Sequence, residues 1–578
     1  MATITNDTPL WRLQQTLNHI QPQSVRENAE KLAIVHGPTQ PALWEMTLGE
    51  LLEFQCLRYR DLECVVVPWT GARWTYGQLE HESNRLARGL LAKGIQRGDR
   101  IGVMAGNCEE YVSLFFAAAR VGAILVDIMT DEITACKLLF IVPRIGRHYL
   151  ENALEDLTSP DISKRLPNFE ETILIQGAYR NLGTYKTVVL AGNSVPSNAV
   201  QQRQDTLSPF DVCNLQFTSG STGNPKAAML THHNLINNSR FIGDRMDFTE
   251  YDTLCCPPPL FHCFGLVLGL LACITHGGKV VYPAETFDPG AVLRAISNER
   301  CTALHGVPTM FEAILALPRP DTFDCSQLRT GIIAGAPVPR PLMKRLWNEL
   351  NMTEFTSSYG LTEASPTCFN AFTSDSIDTR LTTVGKVLPH ASAKIINPET
   401  GETVKIGERG ELCMSGYQIH KGYWENPGKT AEALIEDEDG TIWLRTGDEA
   451  MFNSDGYCSI TGRFKDIIIR GGENIYPLEI EERLTAHPAI LRAAVVGLPN
   501  EHYGEVVGAF LVLEKGHTCP PEDEIRNWTR EKLGRHKAPK HVFVFGSDPR
   551  LPADMPQTGS GKVQKQILRD LGKKLIEE

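Results

Sequence analysis

Helix and strand patterns alternate after Thr75, and this alternation limits the folds open to the chain more than any other feature. Thr75 and Gln78 form a capping box that predicts the start of a helix. The apolar run at residues 100–105 (RIGVMA) predicts a buried strand, residues 109–122 predict an amphipathic helix, and residues 123–126 (AILV) predict a second strand. A strand–helix–strand order of this kind favours a parallel sheet.

The rest of the chain shows three different sequence patterns. Helix–strand alternation returns at residues 252–340, whereas residues 385–416 carry short apolar runs broken by Pro and Gly, which predict antiparallel strands. A further change comes at Lys465. We therefore expect an α/β multidomain protein with an N-terminal extension (1–30), a large N-terminal domain (31–464) and a small α+β domain (465–578).

Bulk properties favour small-molecule chemistry. The chain has 578 residues and a formal net charge of −12, which disfavours nucleic-acid binding. Fifteen cysteines form no C-x-x-C pair, which indicates a reducing compartment. The longest apolar run, residues 265–274, is about half the length of a membrane helix. The N-terminus lacks the apolar core of a secretory signal, so we expect a soluble protein with no membrane span.

A flexible, donor-rich loop lies within residues 217–235 (FTSGSTGNPKAAMLTHHNL). Its glycines let consecutive N–H groups turn toward one anion, its hydroxyls add donors, and its lysine supplies a cation. The residues in question are Thr218, Ser219, Gly220, Ser221, Thr222, Gly223 and Lys226. A phosphate site and an ordinary surface loop both fit this composition. Neither this loop nor residues 558–563 (TGSGKV) is a Walker A sequence, which argues against P-loop nucleotidases.

Four more segments complete a set whose order and spacing are specific. They are residues 334–337 (AGAP), 357–366 (SSYGLTEASP), 443–450 (WLRTGDEA) with 462–466 (GRFKD), and 556–565 (PQTGSGKVQK). Each alone fits a strand end, a turn or a linker. Together with the donor-rich loop, they resemble the adenylate-forming superfamily of acyl-CoA synthetases, luciferases and adenylation domains, over residues 74–565.

The resemblance implies both a fold and a reaction. The expected fold has two α/β subdomains and a β-barrel-like subdomain in the large domain, with a small mobile lid at the C-terminus. The expected reaction has two steps: a carboxylate attacks the α-phosphate of Mg-ATP to give acyl-AMP and pyrophosphate, and coenzyme A then displaces AMP.

The resemblance also implies roles for individual residues in nucleotide binding. The loop from Thr218 to Lys226 would hold the leaving phosphates, and Asp448 would accept hydrogen bonds from both ribose hydroxyls. Arg463 would reach the ribose. Tyr359 would stack on adenine, with the opposite side lined by Gly335, Ala336 and Pro337.

The chemistry itself is assigned to a second group. Thr362 would donate to the α-phosphate, Glu363 would hold Mg²⁺, and Lys562 would bridge the substrate carboxylate and the α-phosphate. His262 matches an aromatic position beside the acyl site, although an ordinary packed histidine fits equally well. The family pattern differs here at Gln557, at Lys565 and in the segment after Val126.

Arg470, Gly471 and Gly472 match the stretch along which acyl-CoA synthetases pass pantetheine, so we favour an acid–CoA ligase. The alternative is a stand-alone adenylation enzyme with another thiol or a carrier protein as acceptor. Residues 259–271 (PLFHCFGLVLGLL) lack the acid that amino-acid adenylation domains place there. The retained Lys562 and Glu363 argue against a binding protein without catalysis. A mostly apolar pocket would admit medium-chain, branched or hydroxylated acids, and His262 or His305 could meet a polar substituent.

The N-terminus carries a pattern typical of a type 2 peroxisomal address (RLQQTLNHI). It begins at Arg12 and ends at Ile20, and Leu13, Leu17 and Ile20 would share one helix face for an import receptor. A chance amphipathic turn is the alternative, and a mitochondrial presequence fits less well. With this address, the chain resembles the fungal peroxisomal acyl-CoA ligases of secondary metabolism, including those of siderophore pathways.

Overall fold

The computed structural model describes residues 31–127, 135–218, 226–335, 338, 340–558 and 561–577. Residues 12–20, 219–225, 336 and 337 therefore lie outside the described residues, and with them the proposed address, most of the phosphate loop, Ala336 and Pro337. Among the described helices, none is both long enough and apolar enough to cross a membrane. All fifteen cysteines are free thiols, and thirteen of them are buried.

The first sheet has seven strands and is parallel except at one edge, as the alternation after Thr75 predicts. Its strands, in spatial order, are Gly183–Thr184, Glu171–Leu174, Leu138–Ile141, Arg100–Met104, Ile124–Asp127, Val212–Thr218 and Lys226–Thr231. Only the last pair is antiparallel. Because the strands Val212–Thr218 and Lys226–Thr231 flank the donor-rich loop, the loop connects two neighbouring strands of one sheet.

The second sheet has five strands and packs with the first around the largest hydrophobic core. Its order is Ala303–Leu304, Thr253–Cys255, Lys279–Val281, Glu63–Val67 and Ala72–Thr75, with one antiparallel pair at the end. The expected capping box is present: Gln78 N–H donates to Thr75 Oγ1 (3.2 Å) and Thr75 N–H donates to Gln78 Oε1 (2.8 Å).

Two further sheets lie toward the C-terminal side of the large region. One is antiparallel and joins Ile34–His36, Ala391–Ile396, Gly410–Gly416, Ile442–Phe452 and Leu434–Glu436, with Cys458–Arg463 paired to Ile442–Phe452. The other joins Ile332–Ile333, Thr356–Gly360, Thr367–Asn370 and Lys386–Val387. The two share a core that includes Phe369, Leu412 and Phe452. The antiparallel structure predicted for residues 385–416 is confirmed.

A last sheet begins after Lys465 and has its own cores on both faces. Its strands are Glu473–Ile475, Ile468–Arg470, Gly504–Leu513 and Ile490–Asn500, with His541–Val544 beside Gly504–Leu513. A short two-stranded ribbon, Arg144–Ile145 with His148–Tyr149, lies apart from these sheets. Lys465 itself lies in the turn Phe464–Asp466, between the strand that ends at Arg463 and the one that begins at Ile468.

Helices cover the sheets. Those of four residues or more, in chain order, are Leu48–Tyr59, Tyr76–Ala92, Glu109–Arg120, Glu151–Leu157, Ile162–Arg165, Tyr185–Ala191, Ala199–Gln204, His232–Arg245, Phe264–Leu271, Ala272–His276, Pro289–Asn298, Pro308–Leu315, Arg340–Leu350, Ile377–Thr382, Pro427–Ala433, Pro477–Thr485, Glu522–Arg530 and Lys565–Glu577. Phe264–Leu271 is a π-helix and fully buried. The α/β architecture with a large N-terminal and a smaller C-terminal part agrees with the sequence-based prediction.

Candidate active site

Asp448 is the centre of a three-residue cluster. It lies on the strand Ile442–Phe452, opposite Arg463 on the next antiparallel strand, and is only 3% exposed. Tyr359 donates its hydroxyl to Asp448 Oδ2 (2.6 Å), and Arg463 Nε donates to Oδ1 (2.7 Å). Burial and the Asp448 carboxylate raise the pKa of Tyr359, so its hydroxyl stays a neutral donor. The structure thus brings together three of the predicted nucleotide-binding residues.

Glu363 lies at the end of the strand that carries Tyr359, in the short turn Thr362–Ala364. Its Oε1 accepts a hydrogen bond from the Tyr423 hydroxyl (2.8 Å). Nζ of Lys226 lies 4.7 Å from the centroid of the Tyr423 ring. Burial lowers the pKa of Lys226, while the Glu363 carboxylate opposes that shift. The predicted metal ligand and the predicted phosphate lysine are therefore neighbours.

The donor set around Glu363 fits a magnesium ion. Among the described residues, no group of three or more His, Cys, Asp or Glu side chains is arranged to hold a metal. Mg²⁺ commonly binds through one or two carboxylates together with phosphate oxygens and water. A single carboxylate, Glu363, beside the predicted phosphate lysine, Lys226, matches that pattern.

Lys562 comes from the far end of the chain and enters the same site. Its turn is tight: Thr558 N–H donates to Lys562 O (2.8 Å), and Lys562 N–H donates to Thr558 Oγ1 (3.1 Å). A Cβ atom built on Gly335 would lie 3.5 Å from Lys562 Cε, so the lysine stem passes beside that glycine. Burial and Arg463 lower the pKa of Lys562, whereas Asp448 and Glu363 oppose the shift. Lys562 therefore lies within the field of both carboxylates.

His262 lies next to the helix Phe264–Leu271, and its Nδ1 accepts a hydrogen bond from Phe264 N–H (3.1 Å). Burial, with a contribution from Lys562, lowers its pKa to about 3. His262 is consequently a neutral imidazole close to the ammonium of Lys562.

His305 does not offer the polar contact that the sequence suggested. Its Nδ1 accepts from Ile332 N–H (3.1 Å), so Nε2 carries the proton and donates to Leu268 O (3.0 Å). The residue is completely buried, and burial lowers its pKa to about 4. Because both ring nitrogens are used by the backbone, His305 fixes the helix Phe264–Leu271 against the strand Ile332–Ile333 instead of facing a substrate.

A buried polar cluster, not found from the sequence, lies at the carboxyl end of the first sheet. Asp127 accepts from the Tyr111 hydroxyl, and Cys263 Sγ donates to Gln216 Oε1 (2.8 Å). Burial raises the pKa of Asp127 to about 8. Gln216 Nε2 and Asp127 Oδ2 are buried with no hydrogen-bond partner among the described residues. The sequence did contain one sign of this cluster: two amide side chains, Asn214 and Gln216, inside an otherwise apolar strand.

The predicted coenzyme A residues lie on the last sheet. Gly471 and Gly472 have φ angles of +60° and +87°, and a Cβ at Gly472 would meet nothing within 4 Å. Gly471 N–H donates to Tyr503 O (2.8 Å), and the Arg470 guanidinium lies 4.1 Å from the centroid of the Tyr503 ring. Gly471 and Gly472 are exposed, whereas Lys562 is inserted beside Gly335.

Comparison with known proteins identifies the family. Residues 52–424 match the AMP-binding enzyme family, and residues 479–562 match the AMP-binding enzyme C-terminal domain. The chain is 88% identical to acyl-CoA ligase SID4 of Ajellomyces capsulatus, with both chains covered completely. It is 65% identical to acyl-CoA ligase sidI of Aspergillus fumigatus, covering 100% of this chain and 98% of the relative. ATP-bound MatB of Rhodopseudomonas palustris has a TM-score of 0.77 and 27% identity, covering 92% and 100% of the two chains.

The chain belongs to the AMP-binding enzymes. Within that family it is an acyl-CoA ligase, an enzyme that uses ATP to join a carboxylic acid to coenzyme A.

Proposed function

We propose that the site around Asp448, Glu363 and Lys562 activates the acid as acyl-AMP, with release of pyrophosphate. The supporting observation is the insertion of Lys562 beside Gly335, within the field of both carboxylates. Asp448 would accept from the ribose hydroxyls, and Tyr359 would contact the adenine. Thr218 and Lys226 would contact the leaving phosphates.

Lys562 would act where negative charge accumulates. The substrate carboxylate and the α-phosphate repel each other, and a cation between them stabilises the transition state more than the separated reactants. Glu363 would hold Mg²⁺, which offsets phosphate charge when it is bound. Thr362 would donate to the α-phosphate. His262, uncharged, would pack beside the acyl group without competing with Lys562 for the carboxylate.

The acids that we propose are medium-chain, branched or hydroxylated, with mevalonate as a hydroxylated candidate. The apolar helix Phe264–Leu271 supports an alkyl chain. Gln216 supports a polar substituent, because its Nε2 is a buried donor without a described partner. Asp127 is uncharged at neutral pH, which favours a hydroxyl over an ammonium group.

We propose that the pantetheine arm of coenzyme A passes along Arg470, Gly471 and Gly472 to reach the acyl group. The positive φ angles at both glycines and the open space at Gly472 would let pantetheine approach the backbone closely.

One assay tests these proposals together. The purified enzyme is mixed with ATP, Mg²⁺ and a panel of acids, and pyrophosphate, nucleotide products and thioester are followed with and without coenzyme A. We expect AMP as the nucleotide product, and thioester only when coenzyme A is present. Stoichiometric ADP, or adenylation without thioester formation when coenzyme A is present, would contradict the proposed reaction.

We propose peroxisomal localisation from the pattern that runs from Arg12 to Ile20. Residues 1–30 fused to a fluorescent reporter should direct it to peroxisomes. An Arg12→Ala fusion is the matched control and should remain cytosolic. A cytosolic wild-type fusion would contradict the proposal.

A further inference from the structure

One aromatic side chain contacts both charged residues at the phosphate end of the site. The Tyr423 hydroxyl donates to Glu363 Oε1 (2.8 Å), and the face of its ring lies against Lys226, whose Nζ is 4.7 Å from the ring centroid. Tyr423 is only 6% exposed. Burial and the Glu363 carboxylate raise its pKa, so it is a neutral donor. Nothing in the motifs that led to Glu363 and Lys226 points to this residue.

The backbone holds the Tyr423 ring in place from two sides. Residues 421–424 run beside the strand Lys226–Thr231, where Trp424 N–H donates to Ala227 O (2.8 Å). On the other side, His420 N–H donates to the carbonyl oxygen of Glu363 (2.9 Å). One short segment is therefore hydrogen-bonded to both the strand that begins at Lys226 and the turn that carries Glu363, which fixes the Tyr423 ring between them.

Without their contacts to Tyr423, the Lys226 ammonium and the Glu363 carboxylate would attract each other. Burial lowers the pKa of Lys226, and the Glu363 carboxylate opposes that shift. A direct ion pair would occupy the cation that phosphate needs and the carboxylate that the metal needs. In the structure, the Glu363 carboxylate instead accepts from the Tyr423 hydroxyl, and the Lys226 ammonium lies over the Tyr423 ring.

We propose that Tyr423 is a positioning residue that keeps Lys226 and Glu363 from pairing with each other. The aromatic face offers the ammonium a favourable contact, and the hydroxyl fixes one carboxylate oxygen. The lysine then remains available for the leaving phosphates, and the second carboxylate oxygen remains available for Mg²⁺. This inference rests on the proposed roles of Lys226 and Glu363.

Two substitutions separate the two contacts. Tyr423→Phe keeps the ring and removes the hydroxyl, and Tyr423→Leu removes both. We expect Tyr423→Phe to raise the Mg²⁺ concentration for half-maximal pyrophosphate release about tenfold, in line with the loss of one hydrogen bond to a charged group. At saturating Mg²⁺ its KM for ATP should change little. Tyr423→Leu should raise both quantities about tenfold or more.

The chain contains a matched control. Tyr457 donates to Asp375 Oδ1 (2.6 Å), and Lys386 Nζ lies 4.7 Å from its ring centroid, so it repeats the same tyrosine–carboxylate–lysine arrangement elsewhere. Tyr457→Phe should lose thermal stability like Tyr423→Phe while keeping the wild-type Mg²⁺ dependence.

A binding measurement decides the proposal independently of turnover. Mn²⁺ binding to the ATP complex, followed by electron paramagnetic resonance, should be about tenfold weaker in Tyr423→Phe than in the wild type and Tyr457→Phe. Equal Mn²⁺ affinities in the three proteins would overturn the proposal. The proposal would also be overturned if Tyr423→Phe slowed thioester formation from pre-made acyl-AMP as much as it slowed pyrophosphate release. A wild-type enzyme that binds Mn²⁺·ATP but releases no pyrophosphate would refute the proposed function and leave this comparison intact.

Discussion

Replacing Asp127 with Asn should remove a pH dependence of stability that the wild-type protein carries. Burial raises the pKa of this carboxyl from 3.8 to about 8. Between these values the folded protein binds one proton more than the unfolded chain, so the free energy of unfolding falls as pH rises. The contribution of the protonated Asp127 to the free energy of unfolding is fully present below the unfolded-state pKa and is lost as pH rises toward 8.

The size of the effect follows from the shift. Each pH unit between the two pKa values corresponds to about 1.4 kcal/mol. From pH 5 to pH 8 the wild type should therefore lose about 4 kcal/mol relative to Asp127→Asn, and the difference should level off above pH 8. Asn keeps the shape of the side chain and an oxygen that can accept from Tyr111.

Urea unfolding at several pH values between 5 and 9 measures this difference through the unfolding midpoints and slopes. A constant offset between the two proteins reports the changed hydrogen bonds of Asn, whereas a pH-dependent difference reports the proton. Tyr111→Phe provides a second variant: it removes a donor to the carboxylate and should move the levelling-off to higher pH. Curves for wild type and Asp127→Asn that stay parallel throughout would refute the reasoning.

The remaining predictions concern the two half-reactions and the nucleotide. Lys562→Ala should slow pyrophosphate release by about 10²–10³-fold and spare thioester formation from pre-made acyl-AMP, as single-turnover assays would show. Gly472→Leu should do the reverse, and equal losses in both halves would contradict separate roles. Lys465→Pro, which fixes φ in the turn before the last sheet, should spare only one half-reaction in the same assays. Asp448→Asn should raise the KM for ATP about 10–100-fold, because hydrogen bonds to a charged acceptor weaken, and an unchanged KM would contradict ribose binding.

The sequence predicts the elements that local patterns encode. The capping box at Thr75 and the apolar strand at Arg100–Met104 depend on neighbours a few residues away, and both are confirmed. The strand Ile34–His36 was missed, because its pairing partner, Ala391–Ile396, lies more than 350 residues further along the chain. Periodicity carries no information about contacts at that separation.

In the candidate site, too, the sequence identified some residues and missed those whose roles depend on distant contacts. Motifs identified Tyr359 and Asp448, and the structure joins them by a hydrogen bond. Tyr423 and Gln216 were not identified, because a tyrosine after glycine and an amide in a strand are ordinary in sequence. Their roles come from which charged or unpartnered atoms they meet after folding.

The position of Lys562 indicates which half-reaction this arrangement suits. Its ammonium lies within the field of Asp448 and Glu363, where ATP and the acid would react, whereas Gly472 is exposed. The arrangement therefore suits adenylation. Thioester formation needs a path for pantetheine to the same acyl carbon, and the inserted Lys562 turn occupies space beside Gly335. If Gly472 lines that path, as we propose, the part of the chain after Lys465 has to turn between the two steps. The same rotation would then withdraw Lys562 and expose the acyl-AMP to the thiol. The site would lose its capacity for adenylation as it gains the capacity for thioester formation.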